Sequence, residues 1–181
     1  RSWGGYSQFL YLHPRTVMHR MPAGIPPHVA AMALPIGNGF QWACFDGGSG
    51  PGKCVVVQGP GQQGLGCVIA ARAAGADKII VSGLSRDEER FAVARELGAD
   101  ICVAVDQEDL EKRVSAETGG AMADVVIEVS GAGPDAVSGS LRLARKRGVV
   151  LMATHKGTSV PLDRKSTRLN SSHVSESRMP S

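Results

Sequence analysis

One junction constrains this chain more than any other. The apolar run Cys54-Val55-Val56-Val57 leads directly into Gly59-Pro60-Gly61-Gln62-Gln63-Gly64. A short, wholly apolar run reads as a buried parallel strand. The Ala-rich stretch 64–74, closed by Gly75, reads as a helix with a glycine stop. A strand, a glycine turn and a helix in immediate succession make a β-α unit, whose return to the same sheet is right-handed.

The alternation continues downstream. Strands are expected at Lys78–Ser82, Ile101–Val105, Asp124–Val129 and Val149–Ala153. Helices are expected at Asp87–Leu97, Glu108–Thr118 and Asp135–Arg145; Phe91, Ala94 and Leu97 share one face of the first of these. The fold class is therefore α/β, a doubly wound parallel sheet of order 3-2-1-4-5 with helices on both faces. Residues 1–50 are rich in Gly and Pro. They suggest only a strand-like piece at Phe9–Leu12, a helix near 28–34 and a turn at Pro51-Gly52-Lys53.

In this context each turn glycine has a mechanical role. Gly59 permits the tight turn, Gly61 lets a pyrophosphate approach the backbone, and Gly64 lets the helix pack close to its strand. The amides at Gln62 and Gln63 then face the phosphates at the helix start. This predicts a Rossmann-type dinucleotide site; a merely structural turn is the competing role. An acid about 20 positions on would bind the adenine ribose hydroxyls. Gly83 stands there, followed by Ser85 and Arg86. Without a carboxylate to repel a 2′-phosphate, these three favour NADP over NAD. The competing role for Arg86 is a solvated first-turn side chain, and Asp87 is an imperfect substitute acid. Ser130 and Gly131, at the carboxyl end of the fourth strand, are expected on the nicotinamide-ribose side. His155 reads as an exposed loop residue rather than a cofactor contact.

Composition removes other classes. The net charge of +3 belongs entirely to the end of the chain, where Arg164, Lys165, Arg168 and Arg178 face only Glu176. The rest is neutral, which argues against a nucleic-acid partner. No run of about 18 apolar residues suggests a membrane span. The four cysteines, Cys44, Cys54, Cys67 and Cys102, form no C-x-x-C pair. Cys54, Cys67 and Cys102 read as core packing, and the setting as reducing and cytoplasmic. Residues 163–181 are Ser-rich, basic and aperiodic. They resemble translated sequencing-adaptor read-through, so a disordered, non-native tail is expected there.

The segments Val55–Gly66 and Ala70–Ala76, with Ala94–Asp100 and Thr118-Gly119-Gly120 before Ala123–Val126, together resemble medium-chain, zinc-type alcohol dehydrogenase-like dehydrogenases and reductases. Gly4–Phe9 and Met21-Pro22 are similar to the end of that family's catalytic domain. The resemblance implies hydride transfer between NAD(P) and a small alcohol or carbonyl, commonly with zinc. It also implies domains: 1–50 as the remnant of a GroES-like catalytic domain and linker, and 51–162 as the nucleotide-binding domain lacking its last strand. The family's upstream zinc ligands and structural zinc loop have no counterpart here. Asn38 occupies the expected third-ligand position, where an amide is a poor zinc ligand. No catalytic residue is named. The chain alone is expected to be inactive, and an unpaired fifth-strand edge would invite a homo-oligomer. A zinc-independent quinone or enone reductase of the same superfamily, or an inactive nucleotide-binding module, are the alternatives.

Overall fold

The computed structural model describes residues 7–154, without the Pro134 side chain. His155 and the segment 163–181 lie outside the described residues. The chain divides into two compact units, one ending at Met32 and the other beginning at Ala33. In the first, Phe9–Leu12 forms no strand. Its helix is a single turn, α1 (Pro27–Ala30), with Pro27 at the helix start, where a missing N–H costs nothing.

The second unit opens with α2 (Ala33–Phe40), which runs into a π-helical turn over Gln41–Asp46. There the Gly47 N–H reaches back to the Trp42 carbonyl at 2.9 Å, the wider i→i+5 spacing. The helix expected near 28–34 corresponds to α1, which is shorter, and to the first residues of α2; the helix that continues to Asp46 was not expected. It makes a backbone-to-backbone crossing with the helix that follows the glycine turn. A Cβ at Gly39 would land on the carbonyl of Gly66, and one at Gly66 would land on that of Pro35. Only glycines allow so close an approach.

The sheet elements follow as β1 (Cys54–Gln58), α3 (Gln62–Ala73), β2 (Lys78–Gly83), α4 (Glu88–Glu96), β3 (Ile101–Ala104), α5 (Leu110–Glu117), β4 (Ala123–Glu128), α6 (Pro134–Leu143) and β5 (Ala144–Met152). All strand pairs are parallel, in the order β3-β2-β1-β4-β5. This is the Rossmann-like topology expected from the sequence.

Every residue of β1 is buried, because both faces of the sheet are covered. Val55 and Val57 pack with Ile79, Val81, Val125 and Ile127 beneath Cys67, Val68 and Phe91. Val56 points the other way, with Ile80, Val103 and Val126, toward Val114 and Leu143. Each buried valine contributes about 1.5–3 kcal/mol from removal of apolar surface. Phe91 and Ala94 are the buried face of α4, as their spacing requires. Asp109 caps α5 by accepting the Lys112 N–H at 3.1 Å.

The last helix ends two residues earlier than expected, at Leu143, and β5 starts immediately. Ala144 pairs with Ala123 but Val149 pairs with Val125, so β5 carries extra residues over Arg145–Gly148. Arg147 takes a positive φ of 65° within this bulge. Asp124 anchors the bulge at 2.6 Å to Arg145 and also accepts the Cys54 N–H at 2.9 Å.

Candidate nucleotide-binding cleft

The carboxyl ends of β1, β2 and β4 meet at one edge of the sheet, where ligands of such folds bind. The Gly59 N–H donates to Ser82 O at 2.8 Å and the Val129 N–H to Gln58 O at 3.0 Å, so the turns leaving the three strands are tied together. A cleft of about 760 Å³ opens there. That lies within the range of about 300–1,000 Å³ typical of small-molecule and cofactor sites. Gly59, Pro60, Gly61, Gly83, Arg86, Ser130 and Gly131 all line it.

The three turn glycines differ in what surrounds them. Gly59 has a φ of 108°, and a Cβ there would lie 2.9 Å from the Ser130 Cα. Gly64 is buried, and its Cβ would meet the Gly59 carbonyl. Gly61 has nothing within 4 Å of a Cβ position, so its backbone is bare toward the cleft. It is the N-cap of α3, and the Leu65 N–H donates to its carbonyl at 2.9 Å. The N–H groups of a first helical turn have no intrahelical acceptor. A backbone open to an anion beside such a helix start fits a pyrophosphate.

Gln62 and Gln63 stand at that helix start but do not line the cleft with their side chains. Gln63 accepts an N–H from the Asn38 amide at 3.3 Å, which joins α2 to the start of α3. Asn38 is therefore engaged in an amide–amide contact. The described residues do not suit zinc: they contain no group of three or more His, Cys, Asp or Glu able to hold a metal ion.

At the end of β2, Gly83 is required by contact. A Cβ there would lie 2.8 Å from the Pro60 ring and 3.0 Å from Phe91. The next residues turn through a 3₁₀ segment, Ser85–Asp87. Ser85 stands at the rim and is engaged by a neighbour: its N–H donates to Asp106 Oδ1 at 2.8 Å and its hydroxyl to Oδ2 at 2.5 Å. These two bonds and the nearby Arg86 guanidinium hold the Asp106 carboxyl below its usual range. Asp87 accepts the Leu84 N–H at 3.0 Å and pairs with Arg90 at 2.8 Å. Arg86 is exposed on the cleft wall.

The Ser130–Gly131 turn rests on a residue that the sequence did not single out. Glu128, at the end of β4, is fully buried. Its Oε1 accepts the Ser130 N–H at 2.9 Å and also the Ser130 hydroxyl. Because Ser130 abuts Gly59, Glu128 sets the wall against which the glycine turn closes. The signal was an acid directly following the apolar run Val125–Ile127. Beside it, buried Gln58 donates to the Ser140 hydroxyl at 2.5 Å, fixing α6 to β1.

The comparisons with known proteins agree with this architecture. The profile of the zinc-binding dehydrogenases matches residues 64–181. A probable alcohol dehydrogenase of Mycobacterium tuberculosis is 38% identical over 156 residues, 86% of this chain and 42% of that protein. Sorbitol dehydrogenase of Halalkalibacterium halodurans is 35% identical over 145 residues, 80% of this chain and 41% of the enzyme. Among solved structures, alcohol dehydrogenase TADH from Thermus sp. ATN1 superposes with a TM-score of 0.74 at 30% identity, covering 83% of this chain and 43% of that one. The chain spans about two fifths of the length of the curated relatives it matches. No helix among the described residues is long and apolar enough to cross a membrane. A glycine turn between β1 and α3, the strand order and the family profile lead to one assignment: this chain belongs to the zinc-binding dehydrogenase family of alcohol dehydrogenase-like oxidoreductases.

Proposed function

We propose that residues 51–162 are the nucleotide-binding part of an oxidoreductase that passes hydride between a small alcohol or carbonyl and NADP(H), and that 1–50 belong with its catalytic part. The observation that carries this is the bare backbone of Gly61, at the edge of a dinucleotide-sized cleft and at the start of α3. The nicotinamide ring, when bound, supplies the hydride chemistry; the protein binds and orients it.

The roles divide by position. Gly59, Gly61 and the Gln62 and Gln63 amides receive the pyrophosphate, while Gly64 keeps α3 close enough to do so. Ser130 and Gly131, set by Glu128, border the nicotinamide-ribose side. Arg86 receives the 2′-phosphate at the end of β2. The hydrogen bonding around it supports NADP(H): the carboxylates of Asp87 and Asp106 are already engaged by Leu84, Arg90 and Ser85 rather than turned to ribose hydroxyls. Ser85 is committed to Asp106, which leaves Arg86 as the anion-binding group of the trio. Turnover of substrate is proposed for the protein that contains this chain, not for these residues alone, and no step is assigned to a metal.

Equilibrium titration of this chain with NADPH and NADH, followed by nicotinamide fluorescence, tests the reading. NADPH is expected to bind more tightly, and Arg86→Ala to remove most of the difference. Equal or tighter NADH binding would refute the assignment of Arg86.

A further inference from the structure

We propose that Asp106 is a specificity-determining residue, whose carboxylate at the rim between β2 and β3 limits how strongly the cleft prefers a 2′-phosphorylated dinucleotide. The inference rests on the adenine-ribose reading of Gly83 and Arg86 given above.

Three observations place Asp106 at that end of the cleft. The Val105 N–H donates to Gly83 O at 2.9 Å, so the chain leaving β3 lies beside the end of β2. Val105 and Arg86, the sequence neighbours of Asp106 and Ser85, both line the cleft. Asp106 and Ser85 are bound to each other by two hydrogen bonds, at 2.8 and 2.5 Å. The carboxylate is thus fixed beside the turn that carries Arg86.

That arrangement has two opposed effects. The double hydrogen bond holds the 3₁₀ segment that presents Arg86, which aids phosphate binding. The negative charge weakens the field of Arg86 and repels a dianionic 2′-phosphate, which opposes it. NAD(H), with no 2′-phosphate, is subject to much less repulsion. An amide separates the effects. In Asp106→Asn the side-chain oxygen still accepts the Ser85 N–H, and the new N–H₂ can donate to the Ser85 hydroxyl. Geometry is retained while the charge is removed. The hydrogen bonds to Ser85 hold the carboxylate one residue from Arg86, and like charges at such range in solvent, partly screened by salt, predict roughly a three- to tenfold change.

The test compares wild type, Asp106→Asn and Asp106→Ala in titrations with NADPH and NADH at about 50 mM and at higher salt, where the Debye length is shorter. Asp106→Asn is expected to tighten NADPH binding three- to tenfold and leave NADH within about twofold, with the gain shrinking at high salt. Asp106→Ala, which loses the clamp, is expected to gain less than Asp106→Asn. Weaker NADPH binding by Asp106→Asn, or an equal change for both nucleotides, would overturn the proposal. Arg86→Ala separates the two levels. If it abolishes the NADPH preference while Asp106→Asn changes nothing, the cleft reading stands and the role of Asp106 is wrong. If wild type binds neither nucleotide, both fail.

Discussion

Replacing Gly61 by alanine separates stability from binding. In the free protein the new methyl group meets nothing within 4 Å. The backbone there, φ −76° and ψ 180°, is one that alanine adopts freely. Two small terms then oppose each other. Alanine is a poorer N-cap than glycine by about 0.5–1 kcal/mol. It also lowers the entropy of the unfolded chain, worth about 0.4–1 kcal/mol in favour of the fold. The net is within about 0.5 kcal/mol of zero, or roughly 3 °C or less in Tm. In the proposed complex the balance changes, because the methyl group would stand where the pyrophosphate is assigned to approach the backbone. Displacing one charge-assisted hydrogen bond costs about 1.5–3 kcal/mol, roughly a ten- to hundredfold loss of affinity. The assay pairs a thermal melt with a fluorescence titration of NADPH. An unchanged Tm with lost binding is expected. If Gly61→Ala bound NADPH as wild type does, the pyrophosphate would not approach this backbone and the assigned roles would be wrong.

Gly64→Ala is expected to show the reverse emphasis: its methyl group would meet the Gly59 carbonyl, an overpacking cost of about 1–3 kcal/mol against a helix-propensity gain of about 1 kcal/mol, read as a lower urea midpoint; a raised midpoint would contradict it. Glu128→Ala removes the acceptor of both Ser130 donors and should lose about 2–4 kcal/mol, with Glu128→Gln losing clearly less; equal losses in chemical denaturation would show that the side-chain oxygen does not matter. Burial pushes the Cys54 thiol up to about 11 and the Cys67 thiol up to about 12, so neither should react quickly with an aromatic disulfide reagent at pH 8 before unfolding. Burial raises the Asp124 carboxyl, but the Cys54 N–H, Arg145 and Lys53 outweigh it and hold the group below its usual range. Its contribution is therefore fully present above the unfolded value of about 3.9 and is lost as pH falls from there toward the folded value. Melts from pH 7 to 3 should show Asp124→Asn losing less stability on acidification than wild type does.

The sheet was legible because its strands are buried on both faces, and burial leaves continuous Val and Ile runs that alternation cannot hide. Strand order followed from the β-α alternation and the glycine turn. The helix over 33–46 was not legible: ALPIGNGF contains a proline and two glycines, each poor for a helix interior, and forms one because the crossing with α3 requires small residues. The bulge over Arg145–Gly148 was missed because the ion pair that anchors it, to Asp124, joins residues 21 apart. In the cleft, Gly59, Gly61 and Gly64 could be read from spacing, since the turn is local. Ser85 could not, because its partner Asp106 comes from a neighbouring strand end. Glu128 left a visible trace, but its link to Ser130 depends on which way the chain turns after β4.

The crossing of α2 and α3 also bears on how this sequence can change over time. A side chain at Gly39 would meet the backbone of Gly66, and one at Gly66 would meet the backbone of Pro35. Neither obstacle is a side chain, so no replacement at the other position makes room. Compensating pairs of mutations, the usual route by which packed residues drift together, are closed here. Because α3 begins at the glycine turn, a residue swap at this crossing would be transmitted to that turn. These two positions should therefore stay glycine even as the surrounding surfaces of both helices diverge.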